Sequence, residues 1–243
     1  MDREQRLAEA FVGLSDTLAD DVDPVMLMDR LAGHCVEIIG ADGVGIMMAT
    51  SRGDLRTMAV TDERTGFLEL LELQAGEGPC LECYRKGMPV DSRDLDAQTD
   101  RWPEWAPLAR RFGFRSAHAL PLRVNHETIG AVNLLLDSPG GLPQGDLGLA
   151  QALADVAALA LIHWNAERTR PSDIHTRLQV TIAAKSTVDM ATGMVAEYSG
   201  LNPSAALSAL HVYAAGNNCR LIDTARALVQ RTLRLEEVLG ASR

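Results

Sequence analysis

The sequence predicts an α+β domain, in which helices flank an antiparallel sheet, followed by an all-α bundle of three helices with a coiled-coil-like connection between them. Three observations predict this fold class. Between residues 43 and 136, short apolar or alternating runs are separated by turn-forming residues, as in antiparallel strands. After Pro171, apolar residues recur every three to four positions, as in helices. The chain has 243 residues, of which 47% are hydrophobic, so it can bury the cores of two modest domains.

The first part of the chain carries the signals of two helices. Phe11, Leu14 and Leu18 recur at helical spacing, and Asp23-Pro24 places an acidic cap before a proline suited to a first helical turn. Beyond it we predict strands at 43–49, 55–60, 89–91, 117–123 and 128–136, and helices at 63–74, 80–85, 102–112 and 147–167. The last of these strands is almost continuously apolar, which is typical of a central strand.

The helix at 147–167 has an apolar side, made by Leu149, Leu153, Val156, Ala160 and Trp164. This spacing suits a parallel pairing with a second copy of the chain, and it equally suits packing against the sheet. Both interpretations stay open, on different faces of the helix. The bundle that follows is predicted to have helices at about 174–199, 203–215 and 220–235.

We therefore divide the chain into an N-terminal helix at 1–21, a sheet domain at 22–167, a linker at 168–173, a helical bundle at 174–235 and a tail at 236–243. From Pro171 to Arg243 there are seven basic and six acidic residues, so this part carries +1. The chain's net charge of −10 then leaves −11 for residues 1–170. The two parts differ enough in charge to indicate different functions, although +1 is not a strongly basic nucleic-acid footprint.

Composition indicates a cytoplasmic protein. Polar residues interrupt the apolar stretches before the roughly 18 residues that a membrane span needs, so no membrane partner is expected. The N-terminus is charged throughout, unlike a secretory signal peptide. Four cysteines are too few for a disulfide scaffold, which fits a reducing compartment.

The most reactive pattern is Cys80-Leu81-Glu82-Cys83, directly after the loop Gly76-Glu77-Gly78-Pro79. At a helix N-terminus the macrodipole is expected to lower the pKa of the first thiol, so Cys80 and Cys83 are candidate ligand or redox residues. Packing is the alternative role. Trp102 and Trp105 are candidates for lining a ligand cavity beside this loop, or for packing over the sheet edge. A zinc site would need a second pair or two histidines at matching spacing, so we predict no metal.

The sequence contains none of the common catalytic or nucleotide-binding motifs. It has no nucleophile elbow, no Walker loop and no glycine-rich dinucleotide turn. We therefore predict no catalytic residue, no cofactor and no enzymatic activity.

Two stretches resemble known families. Residues 22–165 resemble a GAF sensor domain, through Gly76–Cys80, Pro89-Val90-Asp91, Arg101-Trp102-Pro103 and the strand Ile129–Leu134. Residues 173–234 resemble an ANTAR domain, the three-helix RNA-binding module of transcription antiterminators. The residues that match that pattern are Lys185, Ala191, Gly193, Ala205, Ala206, Leu210, Ala214, Asn218, Leu221 and Ala225. The order GAF then ANTAR is more specific than either alone.

The ANTAR resemblance implies binding of RNA hairpin loops. Lys185, Arg220, Arg226 and His211 would contact phosphate, and Asn218 can hydrogen-bond a base edge. Thr192 and His211 stand where the family commonly has lysine and arginine, which removes positive charge. The alternative is that Gly193 only permits close helix packing and Asn218 only caps the third helix.

Together the resemblances imply a homodimeric antitermination regulator, in which an unknown GAF ligand or upstream signal controls RNA binding to leader transcripts. Two alternatives stay open. One is a thiol redox or ligand-sensing protein, such as a GAF-fold methionine sulfoxide reductase, that uses Cys80 and Cys83. The other is an interaction module whose helical tail only dimerises.

Overall fold

The computed structural model describes residues 2–15, 23–163 and 174–240. A five-stranded antiparallel sheet in the order β2-β1-β5-β4-β3 forms its centre. The strands are β1 (Gly43–Ala49), β2 (Leu55–Val60), β3 (Val90–Ser92), β4 (Ser116–Val124) and β5 (Glu127–Leu136). Each lies within one residue of the prediction at either end, because turn residues bound every run.

Helices cover both faces of the sheet and continue as a separate helical unit. The helices of the sheet domain are α1 (Arg3–Ser15), α2 (Pro24–His34), α3 (Glu63–Ala75), α4 (Pro79–Lys86), α5 (Trp105–Arg111) and α6 (Gln144–His163). The helical unit comprises α7 (Ile174–Ser199), α8 (Pro203–Gly216), α9 (Leu221–Val229) and α10 (Leu235–Gly240). Short helical turns at Cys35–Ile39 and Leu95–Gln98 complete the domain. Helix α5 is shorter than predicted and begins only at Trp105.

Each face of the sheet has its own hydrophobic core. On one face, α1, α2 and α6 pack against side chains such as Ile46, Leu120 and Val132. On the other face, α3, α4 and α5 pack against Met47, Ala119 and Leu135. The alternation of side chains along β1 and β5 therefore divides the domain into two layers of helices around one sheet.

The helix α6 has the length and composition of a membrane span over Gln144–Ile162. Polar residues interrupt this stretch at Gln151 and Asp155, as expected, although its mean hydropathy reaches that of a span. Its apolar character has another cause, since Leu153, Ala157 and Leu161 are buried against the sheet and α1. Packing against the sheet is confirmed for this side of α6. Trp164, Leu18 and the predicted linker at 168–173 lie outside the described residues.

The C-terminal helices form a third core around Val188, Leu210 and Ala225. The predicted third helix, 220–235, is too long, because α9 ends at Val229 and Arg231 adopts a left-handed conformation with φ of 59°. Residues 236–240 were expected to be a tail, but they belong to α10, whose Val238 is fully buried. Residues 174–240 therefore form four helices.

Candidate functional site

A buried polar cluster lies on the sheet face covered by α3, α4 and α5. We call it the carboxylate cluster; it consists of Glu69 and Glu72 on α3, Cys80 on α4 and Asn133 on β5. Asn133 Nδ2 donates to Glu69 Oε1 at 2.7 Å and to Glu72 Oε2 at 3.0 Å. The backbone amide of Leu81 donates to Glu72 Oε1 at 2.8 Å. The side chains of the cluster are at most 1% exposed.

Two glycines leave the space that the carboxylates occupy. Gly45 on β1 pairs in register with Asn133, and a Cβ at Gly45 would lie 2.3 Å from Glu69 Oε1. Gly78 precedes α4 with φ of 140°, and a Cβ there would lie 2.5 Å from Glu72 Cδ. The loop Gly76–Pro79 and the glycine of β1 thus make room for acidic groups inside the domain.

The cluster is electrostatically uncompensated. Burial raises the pKa of Glu69 to about 7 and that of Glu72 well above its usual range, although the Asn133 amide opposes both shifts. Among the described residues, no lysine or arginine pairs with either carboxylate. Glu69 Oε2 and Asn133 Oδ1 are buried and find no hydrogen-bond partner within the described part of the chain. Buried ionised carboxylates without a counter-charge are costly, so the pair favours protons or a cation.

The two thiols of the C-x-x-C pattern are buried. Cys80 and Cys83 are both 0% exposed and lie on α4, as predicted. Burial raises the pKa of Cys83 to about 12, and burial together with the carboxylates raises that of Cys80 well above its usual range. The expectation that the helix dipole lowers the first thiol's pKa is therefore wrong, because desolvation outweighs it.

The two tryptophans are buried in the same hydrophobic core as the two thiols. Trp102 and Trp105 are buried and meet edge to face, with ring centroids 5.5 Å apart. Trp102 Nε1 donates to Glu82 Oε2 at 3.2 Å, and the Arg101 guanidinium stacks 4.5 Å from its ring. The Arg101 and Lys86 cations also hold the pKa of Glu82 at about 2. The packing interpretation of this pair is the one that its contacts favour.

Sequence reasoning alone misses Glu69, Glu72 and Asn133. A signal was present for each. Asn133 is the single amide in the apolar strand β5, and Glu69 and Glu72 lie three residues apart on α3, so they share a helix face. The closeness of α3 to β5 depends on tertiary packing, which neither pattern encodes.

A family model of the GAF domain matches residues 23–161. The chain belongs to the GAF domain family. No curated protein matches the sequence. The GAF domain of an Acinetobacter phosphoenolpyruvate-protein phosphotransferase is similar in structure, with a TM-score of 0.52 and 12% identity over 71% of this chain and 100% of that one.

Two further solved structures resemble this GAF domain. The GAF domain of the Coxiella burnetii phosphoenolpyruvate-protein phosphotransferase has a TM-score of 0.52 and 13% identity, covering 67% of this chain and 96% of that one. The free methionine-R-sulfoxide reductase of Neisseria meningitidis has a TM-score of 0.49 and 19% identity, and the match covers 76% of this chain and 95% of that one. At these identities the likeness to the two phosphotransferase GAF domains establishes the fold alone.

The candidate RNA-binding residues fall into two groups. Around the turn between α8 and α9, Asn218 is exposed with φ of 55°, and the guanidinium groups of Arg220 and Arg226 both contact Asp223, at 2.7 and 3.3 Å. Lys185 on α7 and His211 on α8 lie away from this turn. The structure therefore brings together three of the five candidates, and it separates the other two from them.

Lys185 and His211 face the GAF domain. Lys185 forms an ion pair with Asp189 and lines a groove of about 670 Å³ between β2 and α7. His211 lines a second groove, of about 340 Å³, beside Asp29 of α2. Burial lowers the pKa of His211, so its ring is neutral at pH 7. His211 is thus not a cationic phosphate contact in this arrangement.

Asp23 joins the GAF domain to the helical unit. One carboxylate oxygen accepts from the Val25 amide at 2.8 Å and caps α2, as the sequence predicts. The other oxygen accepts from the Ile222 amide at 2.8 Å, in the first turn of α9. Asp23 is fully buried, and Val25 packs into the core of the helical unit. One side chain therefore caps two helices from different parts of the chain.

Proposed function

We propose that this chain is a signal-responsive regulator, in which the GAF domain controls the binding of RNA hairpins by an ANTAR-like helical unit. The observation that carries the proposal is the joint at Asp23, which docks the GAF domain on the helical unit and places Lys185 and His211 against it. In this proposal the chain acts as a cytoplasmic antitermination protein on leader transcripts.

The exposed part of the proposed RNA site surrounds the turn between α8 and α9. The Asn218 amide is exposed there and can read a base edge of an unstacked loop nucleotide. Arg226 is exposed and its guanidinium suits a phosphate. Asp223 holds both Arg220 and Arg226, so a phosphate would compete with this carboxylate for them.

Release of the helical unit from the GAF domain would complete the site. Lys185 would leave the groove at β2, and the His211 ring would become hydrated and regain its usual ability to take up a proton. A signal that favours the released arrangement therefore raises RNA affinity by population shift. A tenfold preference of a ligand for one arrangement shifts the equilibrium by about 1.4 kcal/mol. The docked and released states must therefore differ little in free energy for such a ligand to switch the protein.

A thiol enzyme is the weaker candidate. Reaction through a cysteine requires a thiolate in contact with substrate. Cys80 and Cys83 are both fully buried, and burial raises the pKa of each. These observations favour a sensory over a catalytic GAF domain.

The proposal is tested by RNA binding of the full chain. A pool of RNA hairpins with a constant stem and a randomised loop is selected against the protein, and the affinity of an enriched hairpin is measured for variants. We expect Asn218→Ala and Arg226→Ala to weaken binding about tenfold each, because each removes a base or phosphate contact worth about 1–3 kcal/mol. Asp23→Ala should strengthen binding, since it removes the cap that docks α9.

The matched control is Arg111→Ala, an exposed arginine of α5 on the GAF domain. It should leave the affinity unchanged. If no hairpin is enriched, or if Asn218→Ala and Arg226→Ala bind like wild type, the helical unit is an interaction module and the proposal is wrong.

A further inference from the structure

The carboxylate cluster has the arrangement of a cation site. One oxygen each from Glu69 and Glu72 and the sulfur of Cys80 lie within 4.8 Å of one another, and all three side chains are buried. Asn133 supplies an independent indication. It is 1% exposed, its amide nitrogen touches both carboxylates, and its Oδ1 has no partner among the described residues. We propose that Glu69, Glu72, Cys80 and Asn133 bind one Zn²⁺ ion inside the GAF domain.

A bound cation would neutralise the negative charge of the two buried glutamates. Within the described part of the chain, neither carboxylate has a lysine or arginine partner, and Glu69 Oε2 has no hydrogen-bond donor. A divalent cation would satisfy this oxygen and both charges at once. Gly45 and Gly78 keep this volume free of side-chain carbons, since a Cβ at either would touch a glutamate.

The combination of oxygen and sulfur donors in the cluster indicates which metal ion it would bind. Two carboxylates alone would suit Mg²⁺ or Ca²⁺, but those ions take oxygen ligands and prefer six or more of them. A thiolate beside carboxylates favours Zn²⁺, which takes sulfur and oxygen ligands in a four-coordinate site. Glu69, Glu72 and Cys80 supply three donors, and Asn133 supplies the fourth.

Asn133 reaches the ion by turning its amide. In the structure its Nδ2 faces the two carboxylates. Half a turn about the last side-chain bond exchanges the nitrogen for the unpartnered Oδ1, which has nearly the same shape. The Leu81 amide, which donates to Glu72 Oε1, keeps that carboxylate oriented. Binding releases the Cys80 thiol proton and any carboxyl proton to solvent, and no oxidation or reduction is involved.

The experiment measures zinc in the full chain. Purified protein is freed of metal with a chelator, dialysed against Zn²⁺ and analysed for metal content, and its affinity is obtained by competition with a chromophoric chelator. We expect one Zn²⁺ per chain. Glu69→Gln and Cys80→Ser should each weaken binding by at least about tenfold, because each removes one donor. Cys83→Ser is the matched control, since Cys83 is equally buried on the same helix but lies outside the cluster.

Several results would contradict the proposed zinc site. Absence of stoichiometric zinc in the wild type would mean that the cluster holds protons only. Loss of zinc in Cys83→Ser with retention in Glu69→Gln would place the metal on the C-x-x-C pattern. If the cluster variants fail to fold, Co²⁺ bound to the wild type still decides, because a Cys80 ligand requires a thiolate-to-cobalt charge-transfer band and its absence contradicts the proposal. These results are independent of RNA binding.

Discussion

The glycines of the GAF domain decide which side chains its core can hold. Gly45 faces Glu69 so closely that any β-carbon would lie 2.3–2.8 Å from the carboxylate end of that side chain. Gly193 on α7 is different. One interpretation of the sequence is that Gly193 permits close packing of helices. In the structure Gly193 is exposed, and nothing lies within 4 Å of a Cβ built there. A glycine's role thus depends on what lies opposite it.

Gly45→Ala should therefore destabilise the protein by about 1–3 kcal/mol, the usual cost of forcing atoms into a filled core. Gly193→Ala is the control and should be neutral or stabilise by up to about 1 kcal/mol, because alanine is the better helix former. Urea denaturation of both variants measures the free energy of unfolding. Equal stability of Gly45→Ala and wild type would contradict the close contact with Glu69.

At the scale of elements, helix ends hold the two parts of the chain together. Asp23 caps α2 and also accepts from the first turn of α9, so each of its oxygens satisfies an otherwise orphaned amide. Asp29, about two turns further along α2, lines the groove beside His211 and has a buried Oδ2 without a partner among the described residues. Burial raises the pKa of Asp29 to about 6, the negative charges of Asp23 and Asp189 add to this shift, and Lys185 opposes it.

Asp29 makes stability depend on pH. Its folded pKa of about 6 exceeds the ordinary 3.8, so its contribution to stability is full below about pH 4 and is lost as the pH rises to about 6. Asp29→Asn removes this loss. We expect the variant to be more stable than wild type above pH 6, by at most about 3 kcal/mol at about 1.4 kcal/mol per pKa unit, and to lose this advantage near pH 4.

Thermal unfolding from pH 4 to 8 measures this difference. Asp100→Asn, at an exposed position in the loop before α5, is the control and should show no such pH-dependent gain. A constant difference between Asp29→Asn and wild type at every pH would disprove the role of Asp29.

For the assembly of the protein, we propose that α6 pairs with a second copy of the chain. Its inner side packs on the sheet, but Leu159 is 49% exposed, and Val156 and Ile162 lie one turn to either side, partly buried. This apolar stripe precedes the helical unit in the chain. If the proposed RNA binding holds, a dimer paired along α6 would carry two RNA-binding units, and avidity would strengthen binding to paired hairpins.

If the chain pairs through this stripe, Leu159→Glu is expected to be monomeric, because it would bury an unpaired charge in the helix pair. Val12→Glu, which alters an apolar residue of α1 that is 66% exposed, should leave a dimer. Light scattering after size-exclusion chromatography gives the mass of each. A monomeric wild type, or a dimeric Leu159→Glu, would refute pairing through this stripe.

The strands, the cap at Asp23, and the division into a sheet domain and a helical unit can be predicted from sequence, because these depend on periodicity and on neighbouring residues. The packing of the elements reveals three further features, which are the shared buried volume of Glu69, Glu72, Cys80 and Asn133, the desolvation of Cys80 and Cys83, and the position of Lys185 and His211 against the GAF domain. Burial and charge balance arise between elements far apart in the chain, so local patterns cannot specify them.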